Sequence, residues 1–415
     1  MEDRQLYAQI LGISRPWHVT AVEFEREAGE VRVFVALRTT NRCCPDCKEP
    51  SPGYDERERR WRHLDTCQYR TILVANIPRV NCPEHGVRQL DVPWAEEGSR
   101  FTALFEALVI DWLRECSFAA VGRELRLSWE QVAGIQARAV RRGLARRKKQ
   151  TPKRIGLDET SFQKRHEYVT VVNDLDGGHV LHVADGRKRE SIDAFYVDLG
   201  PAACGALTTV AMDMGEPYIR STNEFVPVAA AKIVYDKFHV AQHLGDAVDK
   251  VRREENRSLA AAGDNRLKNS KYLWLTNPNN LSAGQWWQFG SLRDSRLRVA
   301  RAWALKEAAM MLWSYRVRGW AERAWNRWCS WASRCRLEPM KRVARMIRGH
   351  WDGVMNAATN LITNARSEST NATIQSLKRR ACGYRNRENF RNAIYFHLGG
   401  LDLYPETLKS AHSKP

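Results

Sequence analysis

The chain has 415 residues, enough for two to four domains, and with 43% hydrophobic residues wholesale disorder is excluded. Lys and Arg total 66 against 48 Asp and Glu, a net charge of +18 that points to a polyanionic partner, nucleic acid ahead of an acidic membrane surface. No apolar run approaches the roughly 20 residues of a membrane span, and the N-terminus lacks a basic region followed by an apolar stretch, so a cytoplasmic protein with no membrane partner is expected.

In chain order, residues 19–40 alternate around an Ala-Gly turn and predict a β-hairpin. A strand-like stretch, WRHLDTCQYRTILVANIPRV, lies between NRCCPDCKEP and NCPEHG. Cys44-x-x-Cys47 and Cys82-x-x-His85 are two half-sites, each spaced to aim two ligands at one ion. Ten cysteines in such a chain read as free thiols or metal ligands before disulfides. Three thiolates and an imidazole suit structural Zn²⁺, with Cys43, His63 and Cys67 as nearby alternative ligands and buried thiols as the plain alternative.

From Phe101 to Arg147 the periodicity turns helical. SFAAVGRELRLSWEQVAGIQARAV (117–140) reads as helix-turn-helix, or else as an ordinary helical hairpin. Ser128 and Gln131 form a capping box that opens a second helix at 129–142. That helix would carry Gln131, Gln136 and Arg138 toward a major groove. Residues 138–154 then hold nine basic residues and no acid. Arg141, Arg142, Arg146, Arg147, Lys148 and Lys149 are candidates for DNA phosphates. A Thr-Pro break at 151–152 marks a boundary.

After it the pattern is three strands, helix, strand, helix, strand, long helix, which is the order of a ribonuclease H-like domain. In that fold the first and fourth strands lie side by side and parallel. Asp158 closes RIGLDE and Asp213 closes TTVAMD, so the two carboxylates are expected at one sheet edge. At ~4 Å they would repel by about 4 kcal/mol at an effective dielectric near 20, a cost divalent cations remove. A third acid is expected on a helix, with Glu368, Asn371 and Gln375 sharing a face and Lys378, Arg379 and Arg380 following for phosphates. Such a set supports two-metal phosphoryl transfer. Residues 256–360 are helical and Trp-rich. Trp313, Val317, Trp320, Ala324, Trp328 and Trp331 recur every three or four positions and predict one buried face. Trp286, Trp287 and Trp351 lie outside that stripe and are the candidates for stacking on a flipped base.

Taken together, CCPDC…NCPEHG, SFAAVGRELRLSWEQV, IGLDETSF, VAMDMGEPYI, IVYDKFHV and NARSESTNATIQSLKRRACGYRN resemble the ISL-three (ISL3) family of bacterial insertion-sequence transposases over nearly the whole chain. The resemblance implies Asp158, Asp213 and Glu368 as a DDE triad binding Mg²⁺ (or Mn²⁺), with a helical insertion between the second and third acids. It also implies Asp236 and His239 as an Asp-x-x-His element. His239 would orient DNA or support Asp213, or equally be a core histidine. The family pattern has an aromatic residue where this chain has Gly215.

The expected architecture is a multidomain α+β and α/β chain. A β-rich zinc-binding domain (1–98) precedes a helix-turn-helix with basic linker (99–150). The first part of a ribonuclease H-like core (151–255) is interrupted by an α-helical Trp-rich insertion (256–360) and completed by C-terminal helices (361–415). The expected partners are double-stranded DNA, as terminal inverted repeats and target, and a second copy of the chain or more, in the bacterial nucleoid. A non-enzymatic zinc and helix-turn-helix regulator is the competing class, and a nuclease without joining activity the third.

Overall fold

Period-two alternation in the first hundred residues builds a sheet of five strands. The computed structural model describes residues 3–39, 42–163, 167–359 and 365–406. Residues Lys149–Arg387 form one compact unit, and the remaining described residues form the other.

In the N-terminal unit, α1 (Asp3–Ile10) leads into β1 (Trp17–Glu25) and β2 (Glu30–Leu37), the predicted antiparallel hairpin. Strands β3 (Gly53–Arg62), β4 (Arg70–Cys82) and β5 (Gly86–Gln89) complete the sheet in the order β1-β2-β4-β3, with β5 also on β4. Val31, Val33 and Val35 point inward along β2 and pack with Trp17, Trp61 and Trp94, whose rings meet edge to face. Strand β3 runs nearly all exposed as GYDERERRWR, so it carries no apolar alternation and forms through its pairing with β4.

The helical part of this unit comprises α2 (Ala103–Glu115), α3 (Phe118–Leu125) and α4 (Trp129–Arg146), N-capped by Thr102, Ser117 and Ser128. The predicted capping box is present, with Gln131 N donating to Ser128 Oγ and Ser128 N donating to Gln131 Oε1. The turn between α3 and α4 requires a glycine at 122, because a Cβ there would stand 2.9 Å from Leu127 O.

The end of the chain departs from the expectation that 361–415 completes the second unit. Phe396 and Leu403, with Tyr395, Leu401 and Tyr404 around them, pack into the core of α2 and α4 beside Phe105, Val109, Ile135 and Ala139. Gly143 admits this packing, since a Cβ on it would lie 2.7 Å from the Leu401 Cβ. The physical reason is apolar burial: these side chains cover the face of α2 and α4 that would otherwise face water.

The second unit is built on β6 (Arg154–Gln163), β7 (Glu167–Asp174), β8 (Val180–Asp185), α5 (Arg189–Leu199), α6 (Pro201–Ala206), β9 (Thr209–Met212), α7 (Glu216–Phe225), α8 (Ala229–Lys232), β10 (Ile233–Tyr235) and α9 (Lys237–Ala261). The sheet order is β10-β9-β6-β7-β8, with β6, β9 and β10 parallel and β7 and β8 antiparallel, the ribonuclease H-like arrangement. Helices α10 (Lys271–Leu275), α11 (Ala283–Arg293), α12 (Arg298–Leu312), α13 (Arg318–Arg334), α14 (Glu338–Gly349) and α15 (Trp351–Thr359) follow. They share one apolar core with the sheet instead of forming a separate body. Asn356 of α15 donates to the carbonyls of Ala230 and Ile233, tying this insertion to β10. Helix α16 (Ala365–Arg380) lies on β6, and α17 (Arg387–Leu398) leads into the C-terminal segment.

The tryptophan stripe is out of phase with its prediction. The buried side of α13 is Ala321, Trp325, Trp328, Cys329 and Ala332, whereas Trp320 is 58% and Trp331 49% exposed. Trp313 and Val317 precede the helix and do not set its phase. At 3.6 residues per turn, the face that packs is rotated by about 100° from the one chosen by counting tryptophans.

Candidate metal centres and DNA-contacting surfaces

Asp213 and Asp236 directly follow β9 and β10, whereas Asp158, expected to close its strand, lies inside β6, which runs on to Gln163 in its pairing with β7. Gly156 of β6 pairs with Ala211 of β9, and Ala211 with Val234 of β10. Asp158, Asp213 and Asp236 each lie two residues beyond those partners, so they stand level across one sheet edge, with Asp158 and Asp213 on the same face as Gly156 and Ala211.

Each carboxylate is fixed by a local backbone donor. Glu159 N donates to Asp158 Oδ1 at 2.7 Å, and Phe238 N to Asp236 Oδ1 at 2.9 Å, where Asp236 caps α9. Gly215 N donates to Asp213 Oδ1 at 2.9 Å. A Cβ on Gly215 would lie 2.7 Å from that same oxygen, so the departure from an aromatic residue at 215 goes with a close approach of backbone to carboxylate. Burial first of all pushes the Asp158 carboxyl up to about 6; the Glu159 N–H and His239 oppose this, and Asp213 and Asp236 add to it. His239 is half-buried against Phe238 and within electrostatic reach of Asp158 and Glu159.

Helix α16 runs along β6 in step with it. Ser367 lies against Gly156, where a Cβ would be 2.4 Å from the hydroxyl. Asn371 Nδ2 donates to Asp158 Oδ2 at 2.6 Å, and Gln375 Nε2 to Thr160 Oγ1 at 2.8 Å. Four helical residues rise about 6 Å and two strand residues about 6.6 Å, so every turn of this helix meets every second residue of the strand. Glu368 sits exposed one turn before Asn371. Among the described residues, Asp158, Asp213 and Glu368 do not form a group with donor atoms within 4.8 Å of one another. Asn371 Oδ1 and Ser367 Oγ are buried without a hydrogen-bond partner. Asp158, Asp213 and the Asn371 Oδ1 are all oxygen donors, the chemistry that suits a hard divalent cation such as Mg²⁺ or Mn²⁺.

The sequence missed Asn371 as the tie to Asp158, although its polar spacing with Ser367 and Gln375 was visible. Glu159, which alternation sets facing away from Asp158, is half-buried and accepts from Tyr218 Oη at 3.0 Å. Burial first raises its pKa, and Asp213 adds to the effect.

The cysteine and histidine half-sites converge. Donor atoms of Cys44, Cys47, Cys82 and His85 all lie within 4.8 Å of one another. Cys47 Sγ to Cys82 Sγ is 3.6 Å, Cys82 Sγ to His85 Nδ1 3.6 Å, and Cys44 Sγ to His85 Nδ1 3.9 Å. A tetrahedron with metal–sulfur bonds of about 2.3 Å has edges of about 3.8 Å, so the set fits Zn²⁺ with no open position. Of the alternatives, Cys43 and Cys67 are exposed, and His63 is buried with its Nδ1 2.8 Å from Thr102 Oγ1.

The predicted DNA-contacting residues divide sharply. Gln136 is 2% exposed and packed within the helical core, so it does not face a groove. Arg138 bonds Glu106 through Nε at 2.9 Å. Arg142 is buried, donates to Leu403 O and pairs with Glu96 and Glu106. Arg146 and Arg147 donate to the carbonyls of Tyr404 and Gly399. Lys378 Nζ donates to Ser161 O at 2.9 Å. The cause is shared: Glu106 is 1% exposed, and buried carbonyls and carboxylates demand partners that the basic side chains supply. Gln131, Arg141, Lys148, Lys149, Arg379 and Arg380 are exposed. Among the described residues no helix is long and apolar enough to cross a membrane.

A transposase model of the ISL3 DDE type matches residues 155–394, a helix-turn-helix domain of transposase family ISL3 matches 90–140, and a zinc-finger of transposase IS204/IS1001/IS1096/IS1165 matches 40–85. The chain is 30% identical over 451 aligned positions to a Mycobacterium tuberculosis protein named transposase for insertion sequence element IS1557, covering 100% of this chain and 99% of that one. It is 28% identical over 400 positions to the Bordetella parapertussis transposase for insertion sequence element IS1001, covering 94% and 97%.

Proposed function

The chain belongs to the ISL3 family of transposases, and from that premise we propose that it binds the terminal inverted repeats of an insertion sequence, cleaves DNA there and joins the 3′ ends to a target. The observation that carries the reading is the level placement of Asp158 and Asp213 on adjacent parallel strands, with α16 strapped to Asp158 through Asn371. Asp158, Asp213 and Glu368 are the proposed triad. They would hold Mg²⁺ or Mn²⁺, which supplies activation of a water or 3′-hydroxyl and stabilisation of the leaving oxygen.

This chain's residues prepare that role. The Glu159 and Gly215 N–H groups aim the two carboxylates, and Asn371 fixes the helix that carries Glu368. Asp236 caps α9 and so sets the position of His239, which tempers the crowding of acids. Exposed Arg379 and Arg380 are proposed phosphate contacts, and α4 with Gln131, Arg141, Lys148 and Lys149 the proposed end-binding surface. The Cys44, Cys47, Cys82 and His85 cluster is the proposed zinc site holding the N-terminal region in shape. Two element ends must be held together, so the working form is at least a dimer, acting on DNA in the nucleoid.

The test gives purified protein labelled terminal-repeat DNA with Mg²⁺. Cleavage and joined product that vanish in Asp158→Asn, with end binding kept, support the reading. Equal behaviour of wild type and variant would sink it in favour of a DNA-binding regulator, and cleavage without joined product would leave a nuclease.

A further inference from the structure

Helix α13 carries an exposed stripe that its own core does not use. Trp320, Arg323, Arg327, Trp331 and Arg334 are all exposed. At 3.6 residues per turn they fall within about 80° of the helix circumference and along about 21 Å. Trp320 at 58% and Trp331 at 49% exposure stand out, because indoles are highly buried on average. The Arg323 guanidinium lies 5.2 Å from the centre of the Trp320 ring. The stripe contains no acid: Glu322 points elsewhere and pairs with Arg318 at 2.8 Å.

The stripe begins near the acidic sheet edge. Arg318, two residues before Trp320, donates to Asn356 Oδ1 at 2.9 Å and to Asp352 Oδ1 at 3.2 Å on α15. The next residue, Gly353, lies so close to Tyr235 that a Cβ would be 2.3 Å from the ring. Tyr235 is the last residue of β10 and precedes Asp236.

We propose that this stripe holds unpaired DNA beside the acidic edge, the arginines taking phosphates and the indoles stacking on exposed bases. The charge selects a polyanion, and two copies of this face would set three arginines against three, which disfavours self-association through it. The indoles select unpaired over paired DNA, since a duplex hides the faces of its bases and offers an indole nothing planar to stack on. This deepens the transposase reading, which supplies the reason that unpaired strands arise at a cleaved end.

The experiment compares a fully paired terminal-repeat duplex with the same duplex bearing an unpaired tail, by fluorescence anisotropy without added divalent metal. The variants are Trp320→Ala with Trp331→Ala, and Arg323→Gln with Arg327→Gln and Arg334→Gln; all five positions are exposed, and circular dichroism checks the fold. The tryptophan pair is expected to weaken tailed-duplex binding about tenfold and paired-duplex binding less than twofold. The arginine triple should lower the salt slope on tailed DNA by about 2, near 0.7 per phosphate contact. Unchanged tailed-duplex affinity in both variants overturns the proposal, as does equal loss on both DNAs, or a change from dimer to monomer with binding intact. Mg²⁺-dependent cleavage by the wild type is measured in parallel. Cleavage with an idle stripe removes this inference alone, whereas selective loss of tailed-duplex binding without any cleavage removes the transposase reading alone.

Discussion

Asn371 donates to Asp158 at 2.6 Å and so ties the helix bearing Glu368 to the strand bearing the first acid. A hydrogen bond to a charged group contributes about 1.5–3 kcal/mol, and here it also sets the phase of α16. Asn371→Ala is therefore expected to lower stability by roughly that amount and to reduce DNA cleavage at least tenfold, with end binding kept. Asn371→Asp, which adds a like charge, should be worse for stability in metal-free protein. Full cleavage by Asn371→Ala would show that α16 is positioned by its other contacts.

Gly215 makes a second such prediction. A methyl at 215 meets Asp213 Oδ1 at 2.7 Å, closer than real Cβ contacts allow, so Gly215→Ala must displace the carboxylate or the start of α7. Cleavage should fall by an order of magnitude or more while the melting temperature changes little. The φ of −72° at Gly215 suits any residue, so the effect is contact and not backbone strain.

Arg141 and Arg142 are adjacent in sequence and opposite in role. Arg142→Gln leaves Glu106 its ion pair with Arg138 but removes the second arginine beside it and the donor to the Leu403 carbonyl, and leaving buried acceptors short of a partner costs about 1–3 kcal/mol. Urea unfolding should show a loss of that order. Arg141→Gln should leave stability within about 0.5 kcal/mol and lower the salt dependence of end binding by a slope of about 0.9. A large stability loss in Arg141→Gln would reverse the assignment.

His63 gives the N-terminal unit a pH dependence. Burial, with a smaller effect from Arg62, holds its pKa down to about 4 from 6.5. The unfolded chain therefore binds the proton first, and stability is lost as pH falls from 6.5 toward 4. The loss approaches roughly 3 kcal/mol, from about 1.4 kcal/mol per pH unit. His63→Gln should flatten the stability profile over that window, and an unchanged profile would place the dependence in other groups.

Much of this was legible in residues alone. The hairpin of β1 and β2, the capping box at Ser128 and the order of elements around Asp158 and Asp213 follow from short-range periodicity and turn chemistry, whereas the pairing of β6 with β9 came from the fold that this order resembles. The Cys44, Cys47, Cys82 and His85 spacing was likewise readable, since each half-site is local and only the meeting of the halves is not. What failed depends on partners far along the chain. Arg142 looks like a phosphate ligand until Glu106 and the Leu403 carbonyl claim it. Leu403 and Phe396 look like the end of one unit until they fill the core of the other. The tryptophans of α13 look like core because they are large and regularly spaced, yet the face that packs is decided by α12, α14 and α15. Local sequence determined most of the elements and the place of the acids along them, because those depend on backbone geometry and neighbours three or four residues away. Only the tertiary structure decided which charges are spent inside and which face solvent, because a buried carboxylate or carbonyl recruits its partner through space, without regard to sequence distance.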